Sequence, residues 1–367
     1  MKKFDVAIVG AGAAGATLAL ELADKVRVVV TEAESQPGYH ASGRSAAVFV
    51  PSYGHGLLRR LTAMSRGFYD HPDPEFFPTP LLGKRGLLRV ILRGGGAQHE
   101  ATISGVPGIR TLTVAEAHDY FPLLDPKRIL GASYEDDVHD IDVDAMIRGC
   151  LRKARKRGAE ILLQNPVVGI ERVGIDWSLA TRAGTIQCAT VVNATGAWAN
   201  QTAQLADLQL IGLQSCRRSM AVLPLPAALE NRPPVPLTVA VPLRWYAKGE
   251  HTGLLVSPAD EDPVPPHDAF ADDMTIAEGL HRFSEDSGFE VTRVTRSWAG
   301  LRSVAPDGYP VIGFDPAAQG FFWLAGQAGF GIQCAPGIAR LAAGLITGSA
   351  ADIGLVHAFS VDRMRRG

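Results

Sequence analysis

The sequence predicts an α/β protein that has a Rossmann-like nucleotide-binding domain and a second, β-rich α+β domain inserted into it. A strand, a glycine turn, a helix and a second strand follow one another over residues 4–34. Strand, turn and helix patterns recur over residues 142–208 and 320–348. The stretches between them, residues 50–140 and 210–295, are rich in proline, histidine, aromatic residues and short β-like runs. Alternation of this kind is typical of a layered α/β architecture.

The N-terminal segment FDVAIVGAGAAGATLALELADKVRVVVTEAE has the features of a dinucleotide site. Its glycines allow a tight turn, close approach to a pyrophosphate and close helix packing, and the free N–H groups of the helix face the phosphates. Glu32 ends the second strand, where a carboxylate can accept hydrogen bonds from both ribose hydroxyls. The turn and first-helix residues predicted at the pyrophosphate are Gly10, Gly12, Ala13, Ala14 and Gly15.

Composition excludes several functional classes. A net charge of -2 is not that of a nucleic-acid-binding domain, which is usually distinctly basic. The 4 cysteines form no CxxC pair and the 10 histidines have no ligand spacing, so we expect no metal site. Polar residues interrupt the apolar N-terminal stretch, and no apolar run is long enough to span a membrane. We therefore expect a cytoplasmic protein with reduced thiols and no membrane span.

The domains are predicted to be discontinuous. The nucleotide-binding domain is assigned to residues 1–49, 141–209 and 296–367, and the substrate-binding domain to residues 50–140 and 210–295. Because no linker separates them, we expect an extensive interface, and ligand sites often form at such interfaces.

Three features together resemble the superfamily of FAD-dependent D-amino-acid oxidases, glycine oxidases and sarcosine oxidases. They are the N-terminal segment with Glu32, the segment VVNATGAWA, and the C-terminal segments AGLRSVAPDGYPVIG and AGQAGFGIQ. The segments GYHASGRSAAVFVPSYG, LQSCRRSM and SWAGLRS are most similar to bacterial D-arginine dehydrogenases. The resemblance covers essentially the whole chain and implies FAD as the cofactor. Residues 302–305 read RSVA, without the cysteine that attaches FAD in some relatives, so we expect non-covalent FAD.

The resemblance also implies which residues surround FAD. Beyond the N-terminal turn, the residues implied near the pyrophosphate, the flavin, the adenine and its linker are Arg44, Ser45, Ala46, Val167, Ala194 and Gly196. A helix that opens after the C-terminal glycine loop would direct its N-terminus at the flavin pyrimidine edge, where the reduced ring carries negative charge. The residues implied there are Gly329, Phe330, Gly331, Ile332 and Gln333, and Arg302 is also implied to contact the cofactor.

At the substrate end, the resemblance implies that Arg302 and Arg218 bind an α-carboxylate, to which an arginine fork is well matched. Arg217 competes with Arg218 for this role. Tyr53 and Tyr246 would supply hydroxyl groups. The implied reaction is hydride transfer from Cα to FAD, which gives an imino acid that water hydrolyses to a keto acid and ammonia. No side-chain base is obligatory for it.

Two positions depart from the D-arginine dehydrogenase pattern. Leu87, or its neighbour Leu88, stands where a carboxylate would grip a guanidinium, and Val48 stands in place of a histidine. A cationic side chain would lose charge-assisted hydrogen bonds worth about 1.5–3 kcal/mol each. We therefore expect a D-amino acid with an apolar or neutral side chain.

Other functions remain open from the sequence. The same flavin site could oxidise a secondary amine of the sarcosine or glycine type, or a 2-hydroxy acid. A non-catalytic flavin-binding redox sensor would not need the arginine pair, and an NAD-dependent dehydrogenase would be colourless. The electron acceptor, O2 or a quinone-type compound, and the oligomeric state have no motif in the sequence.

Overall fold

The computed structural model describes residues 2–250, 253–349 and 352–365. Helices and strands alternate over much of the chain, as expected for an α/β protein. The strands are β1 (Lys3–Val9), β2 (Val28–Thr31), β3 (Val48–Phe49), β4 (Leu82–Lys84), β5 (Leu87–Ile91), β6 (Ile109–Leu112), β7 (Gly131–Glu135), β8 (His139–Ile141), β9 (Glu160–Leu162), β10 (Val167–Val173), β11 (Asp176–Thr181), β12 (Gly184–Asn193), β13 (Gln214–Leu223), β14 (Leu237–Val241), β15 (Tyr246–Glu250), β16 (Gly253–Ser257), β17 (Arg296–Val304), β18 (Val311–Phe314) and β19 (Phe321–Ala325). The helices are α1 (Ala13–Leu22), α2 (Gly56–Asp70), α3 (Gly96–Ile103), α4 (Val114–Tyr120), α5 (Val143–Lys156), α6 (Ala199–Leu205), α7 (Asp273–Ser287), α8 (Gly331–Thr347) and α9 (Ile353–Phe359).

The first sheet contains the parallel strands expected of a nucleotide-binding fold. β1 lies between β12 and β2, all three run parallel, and β9 and β19 extend the parallel set on either side. These strands are continuous apolar runs because both faces of the sheet are covered. On one face α1 packs against α5 and α8, and its small residues allow close approach.

The second sheet has eight strands in the order β17-β13-β16-β15-β14-β5-β7-β6. It is antiparallel except for the parallel pair β14 and β5. One face packs against α4 and α7 around the buried aromatic residues Trp245, Phe121 and Phe283. The other face carries a separate apolar cluster that includes Leu87 and Tyr246. A small third sheet joins β3, β8 and β4.

β17 belongs to the second sheet, whereas the domain boundary at residue 296 predicts that it belongs to the nucleotide-binding domain. Residues 296–367 were grouped with the nucleotide-binding domain, but β17 pairs with β13 along nine residues in the second sheet. The reason is that β17 and β13 are both long strands and form a continuous antiparallel ladder. This ladder places Arg302 and Arg218 on adjacent strands, with Cys216 opposite Arg302 and Gly300 opposite Arg218.

The two large sheets meet at the carboxyl ends of the parallel strands. The residues that follow β1, β2, β12 and β19 are Gly10, Glu32, Ala194 and Gly326, and all four border one cavity. Ligands of open α/β sheets bind at this edge. Within the described residues, the helices fall short of the length and apolar character needed to cross a membrane.

Candidate functional site

A cavity of about 1270 Å³ lies between the two sheets. This volume exceeds the ~300–1,000 Å³ of ordinary small-ligand pockets, so it has room for a dinucleotide together with a substrate. Sixteen of the residues predicted around FAD border it, and so do all six predicted substrate residues. Of the predicted FAD set, Gly15 and Phe330 lie behind the lining, Gly15 within α1 and Phe330 beneath the ring of Tyr53.

The glycine turn leaves no space for side chains. Gly10 has a φ of +103°, and a Cβ added there would lie 2.6 Å from Ala194 O. A Cβ added to Gly15 would lie 1.9 Å from Gly10 O. At the start of α1, Ser42 Oγ accepts a hydrogen bond of 3.1 Å from Ala13 N. The turn therefore presents backbone and one hydroxyl, the groups that bind a pyrophosphate.

Glu32 is held in place by backbone donors. Its Oε2 accepts from Ala11 N at 2.7 Å and its Oε1 from Glu34 N at 3.0 Å. A carboxylate has about four acceptor sites, so two remain for the hydroxyls of a ribose.

Three polar side chains near the ends of the parallel strands show that this part of the cavity fits FAD. The side-chain atoms Thr31 Oγ1, Asn165 Nδ2 and Gln327 Nε2 are buried, and they have no hydrogen-bond partner among the described residues. All three residues border the cavity. An unsatisfied buried polar group costs about 1–3 kcal/mol, and the oxygens and ring nitrogens of a dinucleotide would satisfy these atoms.

Arg44 borders the cavity, but protein groups already accept its hydrogen bonds. Its Nη2 lies 2.5 Å from Asp268 Oδ1, and its Nη1 donates to Ala269 O at 2.8 Å. The backbone of Arg44 is also held in place, because Trp298 Nε1 donates a hydrogen bond to Arg44 O at 3.0 Å. Arg44 thus ties the loop after β2 to the second sheet, while Ser45 and Ala46 of the same loop also border the cavity.

His40 also borders the cavity, and its side chain has protein partners. Its Nε2 lies 2.9 Å from Glu34 Oε1, and its ring packs against Trp198 with centroids 4.4 Å apart. These contacts connect the loop to the segment after β12.

The N-terminus of α8 borders the cavity through Gly329, Gly331 and Ile332. Gln333 fixes this end, since its Oε1 accepts from Val50 N at 3.0 Å and its Nε2 donates to Thr62 Oγ1 at 2.9 Å. The helix thus presents its positive end to the cavity.

Arg218 and Arg302 converge on a single carboxylate. Glu261 Oε1 lies 3.5 Å from Arg218 Nη2 and 3.8 Å from Arg302 Nη1. Glu261 is itself 54% exposed, whereas Arg218 is 7% exposed and its buried Nε has no hydrogen-bond partner among the described residues. Two guanidinium groups share one carboxylate, so the pair retains a net positive charge.

Tyr53 and Arg302 approach the same point at the start of α8. A Cβ added to Gly329 would lie 2.8 Å from Tyr53 Oη and 3.4 Å from Arg302 Nη1. The Tyr53 ring stacks on Phe330 with centroids 4.5 Å apart. Tyr246, by contrast, is buried, and its hydroxyl lies 3.4 Å from Met220 Sδ.

Strand alternation decides two choices that the sequence left open. Arg218 borders the cavity, whereas Arg217 Nη2 pairs with Asp262 at 2.9 Å outside it. Leu87 borders the cavity, whereas Leu88 lies in the core on the other face of the sheet. Successive side chains of a strand point to opposite faces, and this separates each pair of neighbours.

Several side chains of the cavity were not singled out from the sequence. Four of them, Thr31, Ser42, Ser52 and Gln327, lie within motifs recognised in the sequence, but their position at the cavity follows only from the folding of distant segments against one another. The whole set consists of Thr31, Ser42, Ser52, Arg59, Arg89, Asn165 and Gln327.

The cysteines among the described residues lie outside the lining of the cavity. Burial raises the pKa of the Cys188 and Cys334 thiols to about 12, so both remain protonated at neutral pH. In the part of the chain that the structure describes, no cysteine borders the cavity, and no group of three or more His, Cys, Asp or Glu side chains could hold a metal ion.

Comparison with known proteins adds to this geometry. The family described as FAD dependent oxidoreductase matches residues 5–345. The chain is similar to glycine oxidase from Bacillus licheniformis, at 24% identity over 99% of this chain and 98% of that protein. Its structure is similar to L-proline dehydrogenase from P. horikoshii, with a TM-score of 0.85, 22% identity, and coverage of 100% and 99% of the two chains. It is also similar to glycine oxidase from Geobacillus kaustophilus, with a TM-score of 0.83, 24% identity, and coverage of 98% and 99%. At these identities the structural similarities establish the fold.

Proposed function

The chain belongs to the family of FAD-dependent oxidoreductases, and from this premise we propose that it catalyses the oxidative deamination of a D-amino acid. The superfamily and the cofactor expected from the sequence are confirmed. The protein is an FAD-dependent oxidoreductase that acts on an amino-acid or amine donor. The D configuration, the side chain of the substrate and the non-covalent attachment of FAD belong to the proposal.

The observation that carries the proposal is the pair Arg218 and Arg302, which share the single carboxylate of Glu261 among the described residues. A substrate α-carboxylate would replace the exposed Glu261 carboxylate and accept charge-assisted hydrogen bonds from both guanidinium groups. Tyr53 Oη lies on the same side of the cavity as Arg302 Nη1, so it can hydrogen-bond to the same carboxylate. These contacts would fix the α-carbon in one orientation.

Another part of the wall of the substrate region is apolar. Leu87, Leu237 and Met220 belong to one apolar cluster, against which Val48 packs. Such an environment disfavours the ammonium form of the substrate and favours the neutral amine from which oxidation proceeds. The chemistry that bound FAD would supply is acceptance of the hydride from Cα. The product imine then hydrolyses to a keto acid and ammonia, with no side-chain base required.

The cavity also disfavours a cationic side chain. Leu87 and Val48 offer no acceptor to a guanidinium or ammonium group, and the cations Arg59 and Arg89 border the same cavity. We expect D-Arg and D-Lys to be oxidised more slowly than D-Met, D-Leu or D-Phe. The reverse order would contradict this part of the proposal.

The decisive experiment is an anaerobic visible spectrum of the purified protein, before and after addition of single substrates. The panel contains D- and L-amino acids, sarcosine, L-proline, glycine and 2-hydroxy acids. Bleaching of the flavin by D-amino acids supports the proposal. Bleaching only by sarcosine, glycine or L-proline would favour a secondary-amine or glycine oxidase, and bleaching only by 2-hydroxy acids would favour an alcohol donor. A flavin that no compound reduces would favour a redox sensor.

The electron acceptor is tested separately. Oxygen uptake by the substrate-reduced protein indicates an oxidase. Reoxidation by a soluble quinone in the absence of oxygen uptake indicates a dehydrogenase.

A further inference from the structure

The cavity has a second cationic region, which is formed by Arg59 and Arg89 on either side of Ser52. Arg89 Nη2 donates to Ser52 Oγ at 2.5 Å. Arg59 Nε donates to the backbone oxygens of Ser52, at 3.0 Å, and of Gly54, at 2.9 Å. Both arginines and Ser52 border the cavity. We call this region the Arg59–Arg89 end.

The Arg59–Arg89 end has more positive than negative charge. Arg89 is 5% exposed and pairs with Glu135, which is 3% exposed, at 2.8 Å. Arg59 has no carboxylate within salt-bridge distance among the described residues. The nearby ring of His99 contributes no charge at neutral pH, because burial and the charge of Arg89 lower its pKa. Two guanidinium groups therefore face one carboxylate.

Arg89 also has a free hydrogen-bond donor. Its Nη1 is buried and has no partner among the described residues. A buried guanidinium normally has every N–H group satisfied, and a missing partner is costly. Since Arg89 borders the cavity, a ligand in the cavity can supply this partner.

The sheet register places this region on the side of the cavity opposite the first arginine pair. Arg89 on β5 lies opposite Val239 on β14, which lies opposite Tyr246 on β15. Tyr246 in turn contacts Met220, two residues beyond Arg218 on β13. Three strands separate β5 from β13, so their backbones are about 19 Å apart at ~4.8 Å per strand. Two arginine side chains and a small dicarboxylate together can span this gap.

We propose that the Arg59–Arg89 end binds a carboxylate, so that the substrate is an acidic D-amino acid of the aspartate or glutamate type. The proposal rests on the proposed function for the position of the α-carboxylate and the amine. An amide oxygen could satisfy Arg89 Nη1 but would leave the excess positive charge uncompensated. Leu87 and Val48 alone predict an apolar or neutral side chain, whereas Arg59 and Arg89, which border the same cavity, add a positive charge to it.

The first test compares isosteric substrates by anaerobic flavin reduction. The rate constant of reduction divided by the dissociation constant is measured for D-Glu and D-Gln, and for D-Asp and D-Asn. We expect the acid to exceed its amide at least about tenfold in one of the two pairs, which is the effect of a charge-assisted hydrogen bond. Equal or better values for both amides would overturn the proposal.

The second test uses variants that remove the cations of the Arg59–Arg89 end. Arg59→Met removes the cation for which the described part of the chain offers no acidic partner, and we expect about a tenfold loss with the acid and little change with D-Met. Arg89→Met combined with Glu135→Gln removes the buried ion pair, and the amide oxygen introduced by the second substitution could still accept from Ser52 N. This double variant should lose the preference for the acid over its amide. Arg110→Met, at an exposed arginine on β6, is the control and should leave the preference unchanged.

The third test needs no turnover, so it separates this proposal from the proposed function. Glutarate and pentanoate are titrated into the FAD-loaded protein, and their binding is followed by the change in flavin absorbance. We expect glutarate to bind at least about tenfold more tightly, and Arg59→Met to remove the difference. Tight, Arg59-dependent binding without reduction by any D-amino acid would support the carboxylate site while refuting the deamination. Equal binding of the two acids would overturn the carboxylate site regardless of the kinetics.

Discussion

Gly15→Ala is the most direct test of how the glycine turn holds the nucleotide. The added Cβ would lie 1.9 Å from Gly10 O and 3.0 Å from Gly10 C. The first distance is about 1.5 Å shorter than ordinary van der Waals contact, so the atoms must move apart. Gly10 cannot move freely, because its N–H donates to Thr31 O at 2.8 Å and its α-carbon lies against Ala194.

The expected loss in the free energy of unfolding follows from this lack of space. Forcing one carbon into a packed region costs about 1–3 kcal/mol, and here both sides of the contact are backbone, so we expect about 3 kcal/mol. The thermal midpoint should fall by about 5 °C. Because the displaced Gly10 belongs to the turn that we propose binds the pyrophosphate, the purified variant should also retain less FAD, measured as the ratio of flavin to protein absorbance.

Gly67→Ala is the matched control. Gly67 lies within α2, and a Cβ added there would meet nothing within 4 Å. Alanine in a helix is favoured over glycine by about 0.5–1 kcal/mol, so this variant should be slightly more stable and keep its FAD. Equal stability and equal FAD content in the two variants would refute the role assigned to the turn.

Three further predictions concern the site and its stability. Arg302→Lys keeps the charge but loses the fork that binds a carboxylate, so the ratio of the flavin reduction rate constant to the substrate dissociation constant should fall at least about tenfold; an unchanged value would remove Arg302 from the site. Acid precipitation should release all FAD into the supernatant, because the structure places no cysteine at the described cavity lining, whereas a yellow pellet would indicate covalent attachment. Burial and the Arg89 charge lower the pKa of His99, so its contribution to stability is complete above the ordinary value of 6.5 and is lost as the pH falls from there through the lowered pKa of the folded state. The thermal midpoint should therefore decrease from pH 7 to pH 5 more in the parent protein than in His99→Gln, which can still hydrogen-bond to Ser133, and equal decreases would contradict this assignment.

The N-terminal half of the site could be predicted because its chemistry is local. The glycine turn, the start of α1 and Glu32 lie within one continuous segment, and backbone geometry dictates their residue types. Strand β1 ends at Val9 and α1 begins at Ala13, as this pattern requires. Local sequence is sufficient to predict a site that consists of one turn, one helix end and one carboxylate.

The substrate end could not be predicted to the same degree because it depends on pairing between distant segments. Glu261 approaches the two arginines only because β17 pairs with β13 and the segment after β16 returns beside them. The sequence suggested no chemistry for Glu261, since nothing local marks it. The same holds for Glu135 and Arg89, which are 46 positions apart and meet across the β5–β7 pair.

Side chains along β5 alternate between the two faces of the sheet, and this alternation determines which of them contribute to the charge of the substrate pocket. Leu87 and Arg89 lie two residues apart and share the face that borders the cavity, whereas Leu88 faces the core. A leucine at position 87 by itself makes the pocket apolar. Arg89 on the same face, with Arg59 beside it, makes that end positive. A substitution at one strand position is therefore interpreted correctly only together with its neighbour two residues along, because both side chains meet the same part of a ligand.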